Sequence, residues 1–222
     1  MPLVLLHRLR TALRPLVPRR FHAPLTRAIG SIMALALRGD RVECSCCGAK
    51  LRRFIEYPSL YCPRCGSYER HRLLALQIRA RPALLAPPIR LLQVSPDRPL
   101  ERLVTRAGVE RVSIDVDNPQ VELEMDVREL TFEDGSFDAV LALHVLNEVE
   151  ERERALSELH RVLRRGGHAI LQVPVDGQAG LPAELDAAGF ATEVLPAAAL
   201  DASAISRYGL VFDEETFIGR RT

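Results

Sequence analysis

Several absences bound what this 222-residue sequence can be. No apolar run approaches the ~20 residues a helix needs to cross a bilayer, so no transmembrane segment is expected. No cysteine lies outside positions 44–65. A secreted disulfide scaffold would spread its cysteines along the chain, so the clustering points to a metal site in a reducing, cytoplasmic setting. Aromatic residues make up only 5% of the chain. Phe54, Tyr57, Tyr61 and Tyr68 are the few stacking platforms near the cysteines, which makes nucleic acid a less favoured partner. Lysine occurs once, at Lys50, and every other basic residue is arginine, a bias we assign mainly to codon usage in a GC-rich genome. Acid is missing from the first 39 residues, which carry seven arginines.

The formal net charge of +1 conceals a division. Residues 1–90 hold seventeen Lys+Arg against four Asp+Glu, and residues 91–222 hold thirteen against twenty-five. The front either binds something anionic or docks on the acidic back. Residues 1–39 read as a basic helical arm that Pro15, Pro18 and Pro24 break into short helices. A mitochondrial presequence and an amphipathic segment lying on a membrane have the same composition. If Arg8, Arg10, Arg14, Arg19 and Arg20 meet the acidic part of a second copy, the arm makes a homo-oligomer.

Two C-x-x-C pairs come next, Cys44 with Cys47 in "CSCCGAK" and Cys62 with Cys65 in "CPRCGSYERHR". This spacing turns two thiolates toward one ion, and Gly48 and Gly66 supply the positive φ that such tight turns need. Four protein ligands fill a tetrahedral site, so residues 40–72 read as a structural zinc knuckle with no open coordination position. Cys46 does not fit the spacing and reads as a free cysteine. The stretch "SYERHRLLALQIRA" starts a helix with a polar first turn, and residues 73–88 link the knuckle to the rest of the chain. Arg70, His71 and Arg72 are either surface charge or face a site.

From residue 89 apolar strands alternate with amphipathic helices, which predicts a parallel sheet covered on both faces. The strands are "IRLLQVS", "RVSIDV", "VELEMDV", "FDAVLALHV", "HAILQVPV", "FATEVLP" and a last one around "TFIGRR". The helices are "PLERLVTRAG", closed by Gly108, "EERERALSELHRVLRRGG", stopped by Gly166-Gly167, and "LPAELDAAG". Too few residues separate the second and third strands for a full crossover helix. Asn147 and Glu148 read as helix-start residues. At the first strand-to-helix turn, Ser95-Pro96-Asp97 stands where glycine usually lets a backbone approach a ligand. Ser95 can cap the adjoining helix, at the cost of side chains crowding that turn.

The block "SIDVDNPQVELEMDVRELTFEDGSFDAVLALHVLNEVEERERALSELHRVLRRGGHAILQVPV" resembles the middle of class I S-adenosylmethionine-dependent methyltransferases. With "CPRCGSYERHR" ahead of it, the chain resembles a bacterial branch carrying an N-terminal cysteine knuckle. The resemblance spans about residues 35–222. It implies a Rossmann-like α/β fold over residues 89–222, with a mostly parallel seven-stranded sheet whose last strand is antiparallel. It also implies S-adenosylmethionine as methyl donor, beside the structural zinc. Asp115, or Asp117 in the alternative register, is then the acceptor for the two ribose hydroxyls. Asp126 lies beside the adenine, with Val127 packed on the ring. Val94, Ser95 and Pro96 pass the methionine moiety, and His144 lies near the methyl group as the candidate catalytic residue. Each has a plainer alternative: Asp115 and Asp126 cap turns, and His144 is a satisfied histidine at a strand end. Two departures from the family pattern stand out: the first loop lacks Gly-x-Gly-x-Gly, and "DGQAGLPAEL" is short where substrate is often covered. The acceptor implied is a small or carrier-bound molecule, with RNA as an alternative. A degenerate, scaffolding relative is the rival to an active enzyme.

Overall fold

A computed structural model describes residues 22–56, 59–106, 108–210 and 215–222. The five arm arginines from Arg8 to Arg20 and Tyr57 lie outside them. The first described element is helix α1 (His22–Ala36). Pro24 sits in its first turn, where a missing N–H costs nothing, and the breaks expected at Pro15 and Pro18 lie outside the described residues. Leu25, Ile32 and Leu35 on α1 are exposed, while Met33 is buried.

Two short hairpins make the knuckle: β1 (Arg38–Glu43) with β2 (Lys50–Leu51), and β3 (Ile55–Glu56) with β4 (Leu60–Tyr61). Helix α2 (Glu69–Ala80) leaves the second hairpin and runs through the boundary expected near residue 72.

The main sheet has seven strands: β5 (Arg90–Val94), β6 (Glu110–Asp115), β7 (Leu123–Glu124), β8 (Phe137–Leu143), β9 (Leu163–Gln172), β10 (Phe190–Pro196) and β11 (Glu215–Arg221). Their order is β10-β11-β9-β8-β5-β6-β7. β5 pairs in parallel with β6 and β8, and β9 with β8, whereas β11 is antiparallel to both neighbours. No helix separates β6 from β7, whose parallel pairing is only Ile114 with Leu123 and Asp115 with Glu124. The other helices are α3 (Arg98–Arg106), α4 (Arg152–Val162), α5 (Leu181–Ala187) and α6 (Ala202–Tyr208).

Strand alternation divides the interior into two cores. Leu92, Val94, Val140, Ala142 and Leu171 pack with Leu156 and Leu159 of α4 and Leu181 and Leu185 of α5. Their neighbours Leu91, Ala139, Leu141 and Ile170 point the other way, into a core shared with Leu74 and Ile78 of α2, Leu100 of α3, and Leu51, Phe54 and Cys62 of the knuckle. The knuckle thus contributes to the layer covering one face of the sheet.

Two local expectations are corrected, and one helix is added. Helix α4 ends at Val162, because Leu163 already extends into β9, which continues through Gly166-Gly167. Asn147 and Glu148 lie in a turn, with Glu148 N–H bonded to Val145 O, and the helix begins only at Arg152. Helix α6 had no apolar period to announce it. It is capped by Asp201, whose carboxylate accepts from Ala204 N, and closed by Gly209 at φ 56°.

Candidate functional site

The two cysteine turns are built alike. Gly48 N–H donates to Cys44 O at 2.7 Å and Gly66 N–H to Cys62 O at 2.8 Å, with glycine φ values of 69° and 79°. Cys44 N–H and Cys62 N–H close the turns on Ala49 O and Ser67 O. The four sulfurs of Cys44, Cys47, Cys62 and Cys65 lie within 4.8 Å of one another. Cys44 Sγ is 3.6 Å from Cys65 Sγ, and Cys47 Sγ is 3.7 Å from Cys62 Sγ. Four sulfurs at the usual Zn–S length of ~2.3 Å form a tetrahedron with edges of about 3.8 Å, so the donor set fits such an ion. Cys46 is buried and outside this set.

The motif after the knuckle ties it to the sheet. The Glu69 carboxylate accepts from Leu60 N–H at 2.7 Å and from the Ser59 hydroxyl at 3.0 Å. Arg72 is fully buried, and burial draws its guanidinium below its usual range. It donates to the carbonyls of Leu60, Ser67, Tyr208 and Gly209 and lies 4.0 Å over the Phe54 ring. His71 is also buried; its Nδ1 accepts from Tyr68 N–H, and its Nε2 is 2.9 Å from Asp97 Oδ2. With Nδ1 occupied as an acceptor, Nε2 carries the proton and donates it to the carboxylate, which leaves the ring neutral. Burial agrees, pushing the imidazole down against the pull of Asp97. The choice left open for "RHR" resolves inward for His71 and Arg72, while Arg70 is half-buried with its charge 3.9 Å from Asp97.

Asp97 belongs to the glycine-free turn, and on the other side of that turn lies a cavity of about 370 Å³. It opens at the carboxyl ends of β5, β6, β7 and β8, where open α/β sheets bind ligands. Val94, Ser95, Asp115, Asp126, Val127 and His144 all line it, as do Arg128 and Glu148. Pro96 and Asp117 do not.

Ser95 stands three residues ahead of α3 and is not its cap. Its hydroxyl faces Asp115 and helps draw that carboxyl down, while Asp115 accepts through Oδ1 from Asp117 N–H at 2.8 Å and Asn118 N–H at 3.0 Å. Burial is the largest single influence and raises the Asp115 carboxyl, but the donors together outweigh it and hold the group below the usual carboxylate range. Asp126 is gripped by Arg128, whose Nη2 lies 2.6 Å from Oδ2 and whose Nε is 3.1 Å from both oxygens, which lowers its carboxyl likewise. Asp115 and Asp126 therefore line the cavity and also brace their own turns. His144 N–H donates to Gln172 O, between β8 and β9.

Sequence reasoning missed a feature shared by two of these residues. Ser95 (φ 48°) and His144 (φ 55°) are the two non-glycine residues with positive φ among the described residues, and both border the cavity. The first turn has the left-handed backbone that glycine normally supplies, with a serine in it. A non-glycine residue where the fold expects glycine was the available signal, and it pointed to backbone conformation rather than to crowding.

A family model described as a methyltransferase domain matches residues 97–171. Phosphatidylethanolamine N-methyltransferase of Cereibacter sphaeroides is 42% identical over 67 residues, 30% of this chain and 32% of that protein. The match thus spans about a third of that relative's length. A solved S-adenosylmethionine-dependent methyltransferase of Mesorhizobium loti superposes with a TM-score of 0.52 at 16% identity, over 67% of this chain and 98% of its own. The [4+2]-cyclase SpnF superposes equally well, at 0.52 and 20% identity, over 70% and 83%. At these identities the superpositions carry the fold alone. The matched domain, the sheet order with its antiparallel β11, and the cavity at the strand ends give this chain the fold of class I S-adenosylmethionine-dependent methyltransferases, with a methyltransferase domain matched over residues 97–171.

Proposed function

We propose that this chain is an S-adenosylmethionine-dependent methyltransferase whose donor occupies the cavity at the ends of β5–β8. The observation that carries this reading is the meeting of Ser95, Asp115, Asp126, Val127 and His144 around one cavity at the strand ends of a methyltransferase sheet. The sulfonium donor supplies an activated methyl carbon for direct displacement. The chain's part is then to position, to exclude water, and to take a proton only where the acceptor carries one.

In this reading Asp115, already ionised and faced by the Ser95 hydroxyl, receives the ribose hydroxyls. Val94 and Val127 give apolar walls, and His144 faces the reacting end. Asp126 is held by Arg128, so the pair acts together at the adenine edge. The acceptor is a small or carrier-bound molecule entering from the side left open by the short β9–α5 connection. The knuckle holds one structural zinc on Cys44, Cys47, Cys62 and Cys65, and residues 40–72 act as a brace for the catalytic part.

Calorimetric titration with S-adenosylhomocysteine tests the donor site before any acceptor is known. Wild type should bind, and Asp115→Ala should weaken binding roughly ten- to a hundredfold, since a hydrogen bond to a charged acceptor is worth ~1.5–3 kcal/mol. Absence of heat at millimolar ligand would mark a closed site and leave a scaffolding role for the fold.

A further inference from the structure

A second cavity of about 240 Å³ lies on the other side of the Ser95–Pro99 turn, between α1, the knuckle and the start of α3. Its lining includes Arg27, Arg64 and Arg98, together with Tyr61, Tyr68 and Thr26, and no acid. None of the three arginines makes an ion pair among the described residues. The one side-chain hydrogen bond they have is from Arg64 Nη1 to Cys47 O, at 3.5 Å. The nearest carboxylate in sequence, Asp97, is engaged by His71 and Arg70.

Arg98 is the first residue of α3, where the helix dipole already presents positive potential and a cation is disfavoured. All three arginines are exposed and reach water, yet together they concentrate positive charge around one cavity whose lining holds no carboxylate to offset it. A carboxylate is satisfied by one bidentate arginine, whereas a phosphate has oxygens for several donors arriving from different directions.

We propose that this cavity is a phosphate-binding subsite that anchors a phosphorylated methyl acceptor. The proposal rests on the methyltransferase reading above. Ser95 lines the donor cavity and Arg98 the second one, and three residues of chain span at most about 11 Å. The backbone at the two linings is therefore at most about that far apart, a separation that a small phosphorylated molecule reaching around the turn would match.

The test uses the full-length, metal-loaded protein and calorimetry with pyrophosphate, glycerol 3-phosphate and phosphatidic-acid vesicles as probes. Saturable binding of a soluble probe is expected, at least tenfold weaker in Arg64→Gln and in Arg98→Gln and unchanged in Arg53→Gln, an exposed arginine outside the cavity. Binding to vesicles alone with the same variant pattern would keep the subsite and make its ligand a lipid phosphate. Arg98→Gln lies off the knuckle, so its melting temperature and zinc content should match wild type. S-adenosylhomocysteine affinity is measured in the same variants and should not move, so a failure of the donor site is read separately. Absence of saturable phosphate binding, equal losses in Arg53→Gln, or tighter and steeply salt-dependent binding of a short polyuridylate RNA would overturn the proposal.

Discussion

Both the knuckle and the proposed donor cavity depend on positive-φ turns, but they fill them differently. In the knuckle the residues are Gly48 and Gly66, and a Cβ added to either would meet nothing within 4 Å. Space is free there, so glycine is required by backbone conformation alone. At the cavity the positions are Ser95 and His144, and each keeps a side chain in a conformation that costs on the order of 1 kcal/mol. Where a turn only shapes the chain, the sequence uses the residue without strain. Where its side chain faces a ligand cavity, strain is retained.

Breaking the knuckle should give the largest effect. Structural zinc in small modules contributes on the order of 10 kcal/mol of apparent binding energy, so Cys62→Ser should release the metal and unfold residues 40–70. Metal analysis should find one zinc per chain in wild type and none in the variant. Wild-type protein purified without zinc would remove the metal from the assignment.

Next comes the contact that fastens the knuckle to the end of α6. Arg72→Ala removes the guanidinium donor from the carbonyls of Leu60, Tyr208 and Gly209, leaves Ser67 O with the Cys62 N–H alone, and opens a gap under Phe54. Each buried carbonyl left unpaired costs ~1–3 kcal/mol, so a loss of at least about 3 kcal/mol is expected by denaturant unfolding. Gly209→Ala should act at the same place, because its Cβ would come within 2.7 Å of the Phe54 ring at a φ of 56°. A loss under 1 kcal/mol in both variants would show the knuckle to be loosely attached.

These contacts mark the limit of what the sequence discloses. The cysteine pairs were legible because their spacing is local, and the strands because alternation and apolar runs are local too. Arg72 bonds Gly209 across 137 positions and His71 bonds Asp97 across 26, and nothing in either stretch names its partner. The same holds for α4, whose periodicity was clear but whose end was set by β9 pairing with β8 rather than by its glycines. At the cavity the residue types at the strand ends could be read. The grip of Arg128 on Asp126 and the inward hydroxyl of Ser95 depend on rotamers chosen only in the folded chain.

A smaller effect should result from His71→Ala, which frees the Asp97 carboxylate from its buried donor. The first turn would then be held less firmly, and S-adenosylhomocysteine affinity should fall severalfold at full zinc content. His71→Gln, which keeps an N–H near the position of Nε2, should restore most of it. Equal affinity in all three proteins would make the His71–Asp97 bond a contact of folding only.

The finest test sets Ser95→Gly against Gly66→Ala, because the comparison demands that they differ in kind. Gly66→Ala places a side chain at φ 79° and should cost about 1–2 kcal/mol of stability, without touching the donor cavity. Ser95→Gly removes the strain of a left-handed serine but also removes the hydroxyl that faces Asp115. The relief of ~1 kcal/mol and the loss of the hydroxyl's interaction with Asp115, worth at most ~0.5–1.5 kcal/mol, nearly cancel in stability. In binding they should not cancel, since the hydroxyl faces the carboxylate proposed to receive the ribose. Stability should stay within about 1 kcal/mol of wild type while S-adenosylhomocysteine affinity drops several-fold. If Ser95→Gly binds as tightly as wild type or more so, the serine is only an obstacle in a glycine turn, and the strain at this cavity has no part in holding the donor.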